Sequence, residues 1–266
     1  MLGKLLKYEV KSVSRTYLPI YVLVILMAVV NKILSVVSPS SFETPKVISA
    51  MGYGMVLFGI YLVTFFVSVM RFKTNLLGDE GYLMFTLPVS RNQLIMTKTI
   101  SAVIFSIISV AVGLLSVFIL LPYGELLRSF GVFFEDLGDA VRAIGGFNVF
   151  MYGLYMLAIV ILSAAMLYLP IYLAMAMGQT ANKNKLLASF GWYFVINFIH
   201  QTVITILFTM AANTGLLEKM GQVFMNMPAS GQVHFMFFCV IAYQLVICAL
   251  CYFLTANILT NKLNLE

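Results

Sequence analysis

Six long apolar runs, at residues 17–37, 51–70, 99–121, 147–177, 187–212 and 234–260, take up most of this 266-residue chain. Each can cross a hydrocarbon core of roughly 30 Å as a helix of about 20 residues. In lipid a helix is the one single-segment structure that satisfies its own backbone hydrogen bonds. The expected fold is therefore an all-α membrane protein with six transmembrane helices. Composition agrees, because 62% hydrophobic and 10% charged residues with a mean hydropathy of +1.00 exclude an ordinary soluble domain. The connectors are too short and too divided for a second core, so residues 1–266 read as a single domain. The first run is expected to be a retained span and not a removable leader, because it is long, carries Asn31 and Lys32, and lacks a small-x-small cleavage site.

Ahead of it, Leu2, Leu5, Leu6, Val10 and Val13 alternate with Lys4, Lys7, Lys11 and Arg15. This pattern suits either a short N-terminal helix lying in the membrane interface or an ordinary basic flank. An even number of spans puts both termini on one side, and the basic residues identify it. Lys4, Lys7, Lys11, Arg15, Arg71, Lys73, Arg91, Lys98, Lys183, Lys185 and Lys262 fall on the face of the termini, whereas Lys46, Arg128, Arg142 and Lys219 fall opposite. Cytoplasmic N- and C-termini are the expectation. The net charge of +6 then reflects orientation and contact with membrane lipids, with no nucleic-acid partner implied.

Catalytic chemistry is not evident. No phosphate-binding loop, zinc-protease motif or Ser/His/Asp set occurs, and the chain is expected not to be an enzyme, with no cofactor or metal of its own. Cys239, Cys248 and Cys251 all lie in the last run, where thiols act as small apolar packing groups. No Asp or Glu falls inside a span, which argues against ion-coupled transport. Lys32 lies near a span end and reads as a snorkelling anchor.

Two helix faces are polar. In the fifth span Asn197, Gln201, Thr205 and Thr209 recur every four residues with His200 beside them; in the second, Tyr61, Thr64 and Ser68 follow at steps of three and four and make a milder face. Such faces serve interhelical hydrogen bonds, or else line a substrate path or dimer interface. Ser106, Ser109, Gly113 and Ser116 form a small-residue seam on the third span that lets a neighbour approach closely. Pro170 is expected to kink the fourth.

Between the third and fourth spans Leu126, Phe130, Phe133, Leu137, Val141 and Ile144 recur at helical steps among charged residues, predicting an extracytoplasmic amphipathic helix. Its apolar face must rest on the membrane surface, on the span ends or on a partner chain. A shorter segment with Leu216, Leu217, Met220, Val223, Phe224 and Met227 behaves similarly between the fifth and sixth spans.

The connector over residues 75–98 is longer than two helices need to reverse direction. Residues 75–85 can form a first short helix, weakened by Gly78 and Gly81; Pro88 then interrupts, and Ser90 with Gln93 forms a capping box that starts the next. Here Glu80-Gly81, then Phe85-Thr86-Leu87-Pro88-Val89-Ser90-Arg91 and Lys98, resembles the signature of ABC-2 type transporter permeases. The opening MLGKLLKYEVKS, and Met177-Gly178-Gln179 with Asn182-Lys183-Asn184-Lys185, resemble small permeases of that family from low-GC Gram-positive bacteria. Together these motifs cover the N-terminus and both connectors on the terminal side.

The resemblance implies half of a type V exporter: an elbow helix, six spans, and a coupling helix between the second and third spans. That helix, with Asp79, Glu80, Gly81, Phe85, Pro88 and Arg91, would dock on a separate ATP-binding subunit holding ATP and magnesium. A second permease chain, identical or related, would complete the unit, with the second and fifth spans (Tyr61, Thr64, Ser68, Asn197, His200, Gln201, Thr205) facing the path or the dimer interface. An amphiphilic peptide, a lipid or a hydrophobic drug would be exported. The outer segment over 124–146 is not part of the family pattern. Alternatives are a substrate-capture subunit of an energy-coupling-type importer, or a non-transporting membrane partner that senses or confers immunity to a peptide.

Overall fold

A computed structural model describes residues 2–37, 43–78, 81, 89–181 and 183–261. Among these the chain is helical throughout: α1 Leu2–Val37, α2 Glu43–Phe72, α3 Arg91–Leu120, α4 Tyr123–Ile144, α5 Gly146–Gly178, α6 Lys185–Asn213, α7 Leu216–Met225 and α8 Ala229–Asn261, with one π-helical turn at Lys73–Leu77 prolonging α2. Six of them, α1, α2, α3, α5, α6 and α8, are long and apolar enough to cross a membrane. The chain is a multi-pass membrane protein.

Most helices extend beyond the apolar runs, because hydropathy marks the lipid-embedded turns while backbone hydrogen bonding continues into the polar ones. The largest difference is at the N-terminus. The basic amphipathic segment forms no separate helix but the first turns of α1, which runs unbroken from Leu2 through Pro19 to Val37. With 36 residues, or about 54 Å at 1.5 Å per residue, it exceeds a membrane's apolar thickness. The helix expected between the third and fourth spans is present as α4. Pro170 lies within a continuous α5.

The contacts divide the chain into two compact units, Met1–Arg71 with Met96–Asp139, and Phe72–Ile95 with Ala140–Glu266. In the first, α1, α2 and α3 are joined by hydrogen bonds of their hydroxyls. Tyr17 Oη donates to the Thr64 carbonyl at 2.9 Å, Thr64 Oγ1 lies 2.7 Å from Ser109 Oγ, and Tyr21 Oη lies 3.0 Å from the same Ser109 oxygen. Tyr53 meets Ser116 at 2.8 Å. Ser109 and Ser116 belong to the small-residue seam, and both are buried. Tyr17 also stacks on Phe105 with ring centroids 4.8 Å apart.

Lys32 ends as a helix cap. Its Nζ donates to the carbonyls of Leu120 and Leu121 at 3.1 and 2.6 Å and stands 5.4 Å from the centre of the Tyr123 ring. The cation thus meets the negative end of α3, where orphan carbonyls require a donor, and it pins the corner from which α4 departs.

In the second unit Leu169 and Leu173 of α5 pack with Cys248 and Cys251 of α8. Phe72 stacks on Tyr172 with centroids 3.9 Å apart. All three thiols are free.

Candidate functional site

Glu9, Arg71 and Lys98 come from three helices of the first unit, one near the start of α1, one at the end of α2 and one in the second turn of α3. Glu9 Oε1 accepts from Lys98 Nζ at 2.8 Å and from Arg71 Nε at 3.2 Å, and Arg71 Nη2 donates to Ser12 Oγ at 3.0 Å. Side-chain exposure is 11% for Glu9 and 6% for Lys98, so solvent screens this pair far less than a surface ion pair. The cavity beside it, bounded by Val13, Ser68 and Ser101, has a volume of about 10 Å³, enough for one water. A clasp between helices fits that space, and a substrate does not.

The second anchor lies in the other unit. Arg91 opens α3, and its Nη1 donates to the carbonyls of Leu259 at 2.6 Å and Thr260 at 2.7 Å, where the last turn of α8 leaves acceptors unpaired. Tyr252 Oη adds a bond to the Asn92 carbonyl at 3.1 Å. Ser90 begins the helix as expected, with the Gln93 amide 2.9 Å from its carbonyl and 3.4 Å from its hydroxyl. Replacing Arg91 by Ala should cost about 1.5–3 kcal/mol, the range for hydrogen bonds to a charged group. Thermal unfolding in detergent would measure this, and R91K should recover part of the loss, since Lys keeps the charge but not the planar fork.

Before Arg91 the described part of the connector is compact. Leu76 and Leu77 are buried, the Gly81 amide donates to the Gly78 carbonyl at 2.8 Å, and a Cβ on Gly81 would lie 2.7 Å from the Leu76 carbonyl oxygen. Only glycine fits so close to that backbone. Asp79, Glu80, Phe85 and Pro88, the other expected coupling residues, lie outside the described residues.

The remaining candidates fall into two separate groups. In the first unit Thr64 and Ser68 are buried in the α1–α2–α3 hydroxyl network, while Tyr61 is 42% exposed on α2. In the second unit Asn197, Gln201 and Thr205 share an outward face of α6, which has no buried residue. Asn197, Thr205 and Thr209 bond back to carbonyls of their own helix. His200 bonds Tyr243 of α8 at 2.9 Å. The Gln201 side chain has no hydrogen-bond partner among the described residues.

Sequence reading passed over Glu9 entirely. Its signal was present: it is the one acid among the basic residues of the first fifteen, and Lys98 opens an apolar span with no nearby counter-charge in sequence. Among the described residues no cluster of His, Cys, Asp or Glu could hold a metal ion. No family model, curated protein or solved structure matches the chain.

Proposed function

We propose that this chain is the membrane-spanning permease subunit of an ATP-driven exporter of the ABC-2 type, moving an amphiphilic peptide, lipid or hydrophobic drug. The observation that carries this reading is the anchoring of the connector between α2 and α3. Arg91 ties its exit to the end of α8, and Lys98, two turns on, is tied with Arg71 to Glu9. A force on the connector therefore enters both units through one helix. A loop that merely reverses the chain requires no such attachment.

In this reading the termini and the connector are cytoplasmic, as the basic residues favour. The first turns of α1 take the part of the elbow. Residues 75–89 are the handle on which a separate ATP-binding subunit, holding ATP and magnesium, acts. Nucleotide-driven closure of that partner biases two arrangements of the spans, which requires only that closure favour one of them. A second permease chain covers the polar face of α6, because an amide such as Gln201 in mid-span needs protein or water beside it.

Charge reversal tests the handle. D79K/E80K should abolish ATP-dependent transport in proteoliposomes while leaving insertion and thermal stability unchanged. Undiminished transport by that variant would refute the coupling role.

A further inference from the structure

Helix α4 lies outside the spans and exposes large apolar side chains, including Leu127 at 72%, Phe134 at 66% and Phe133 at 58%. At about 100° per residue, Tyr123, Leu127, Phe130, Phe134, Leu137 and Val141 share one arc of the helix, and all six charged residues, Glu125, Arg128, Glu135, Asp136, Asp139 and Arg142, occupy the opposite one. Apart from Val132, large apolar and charged residues keep to separate sides, which needs two different surroundings along the helix.

Connectivity identifies them. Only Leu121 and Pro122 separate α4 from α3, and only Gly145 separates it from α5. Both neighbours are spans, so both ends of α4 are held at one membrane face. A rigid helix of 22 residues, about 33 Å long, can meet both tethers only by lying along that face. The corner is fixed by Lys32 on the Leu120 and Leu121 carbonyls. There Phe118 in the last turn of α3 stacks on Phe130, with ring centroids 6.0 Å apart. The apolar arc of α4 thereby continues the surface that α3 exposes through Leu114, Leu115 and Phe118.

We propose that α4 is a membrane-interface helix, its aromatic face seated at the boundary between headgroups and acyl chains of the bilayer that α3 and α5 cross. With four acids against two bases, it attaches through apolar burial and not through attraction to anionic lipid.

The test uses the full chain in phosphatidylcholine nanodiscs. Trp192 is the only tryptophan, so W192F supplies a silent background for F134W and L127W on the apolar arc and V132W on the charged one. Phosphatidylcholine brominated near the headgroup end of its chains should remove about half the emission of F134W and of L127W, while V132W responds mainly to aqueous iodide. Two apolar-arc reporters keep the result readable if one substitution disturbs folding. Quenching of F134W and L127W by iodide to the extent seen for V132W would overturn the proposal. Shielding of both from lipid and iodide alike would overturn it too, placing a second copy or another protein on this face.

Discussion

Replacing Glu9 by Ala is expected to destabilise the chain by about 3–5 kcal/mol, the cost of removing one partner from a buried ion pair. Lys98 then loses its carboxylate partner in a site where its side chain is 6% exposed, and Arg71 keeps only part of its present set of acceptors. A surface pair would lose about 0–1 kcal/mol on the same change, so the size of the effect separates a clasp from decoration. Thermal unfolding in nanodiscs gives the measurement. A second variant isolates the charge: E9A/K98M removes the ammonium along with the carboxylate, and it should be more stable than the sum of the two single losses implies. Strict additivity, or an E9A loss within the surface range, would show that the three helices do not depend on this pairing.

The second large effect concerns the corner between α5 and α6. Gly178 ends α5, and a Cβ there would overlap Ser189 Oγ and lie 2.6 Å from both Cα and N of Ser189. Two of those atoms are backbone, so the clash is relieved only by moving the first turns of α6. G178A should therefore cost about 3 kcal/mol or more, at or beyond the upper end for overpacking. The approach is set by the turn between the helices, where Asn184 takes up a left-handed φ of 54°, a conformation Asn tolerates better than most residues.

Gly113 on α3 supplies the contrast. A Cβ there would meet the Tyr61 hydroxyl and lie 3.4 Å from Cζ, both at the far end of a side chain that is 42% exposed. Displacing it costs on the order of 1 kcal/mol, and Ala in mid-helix returns about 0.5–1 kcal/mol of that. G113A should leave the unfolding temperature nearly unchanged. Equal losses for G113A and G178A would contradict this packing.

The spans were legible because lipid imposes one rule on every residue of a crossing helix, and hydropathy reports it directly. Helix ends were less so. The N-terminal lysines suit an interfacial helix as well as the first turns of a longer one, and no helix breaker separates Arg15 from Tyr17. The seam of Ser109, Gly113 and Ser116 could be read as a place of close approach, but not which hydroxyls would meet it, since Tyr17, Tyr21 and Tyr53 are distant in sequence. Glu9 escaped for the same reason. Its partners are 62 and 89 residues away, and a lone acid among lysines resembles a solvated flank until the fold brings Lys98 beside it. On α6 the periodicity of Asn197, Gln201 and Thr205 was plain, and the helix carries them on an outward face. Periodicity fixes which residues share that face and carries no information on what packs against it.

In the proposed coupling a separate ATPase moves the spans through residues 75–89. This coupling is tested most directly by isolating the chain in mild detergent from its own host's membranes and cross-linking it through single cysteines in that segment. The expected result is an ATP-binding protein in equal amount, joined to the connector and hydrolysing ATP in the isolated complex. Recovery of the chain without such a protein, or joined to it only through an intervening transmembrane transducer, would contradict it.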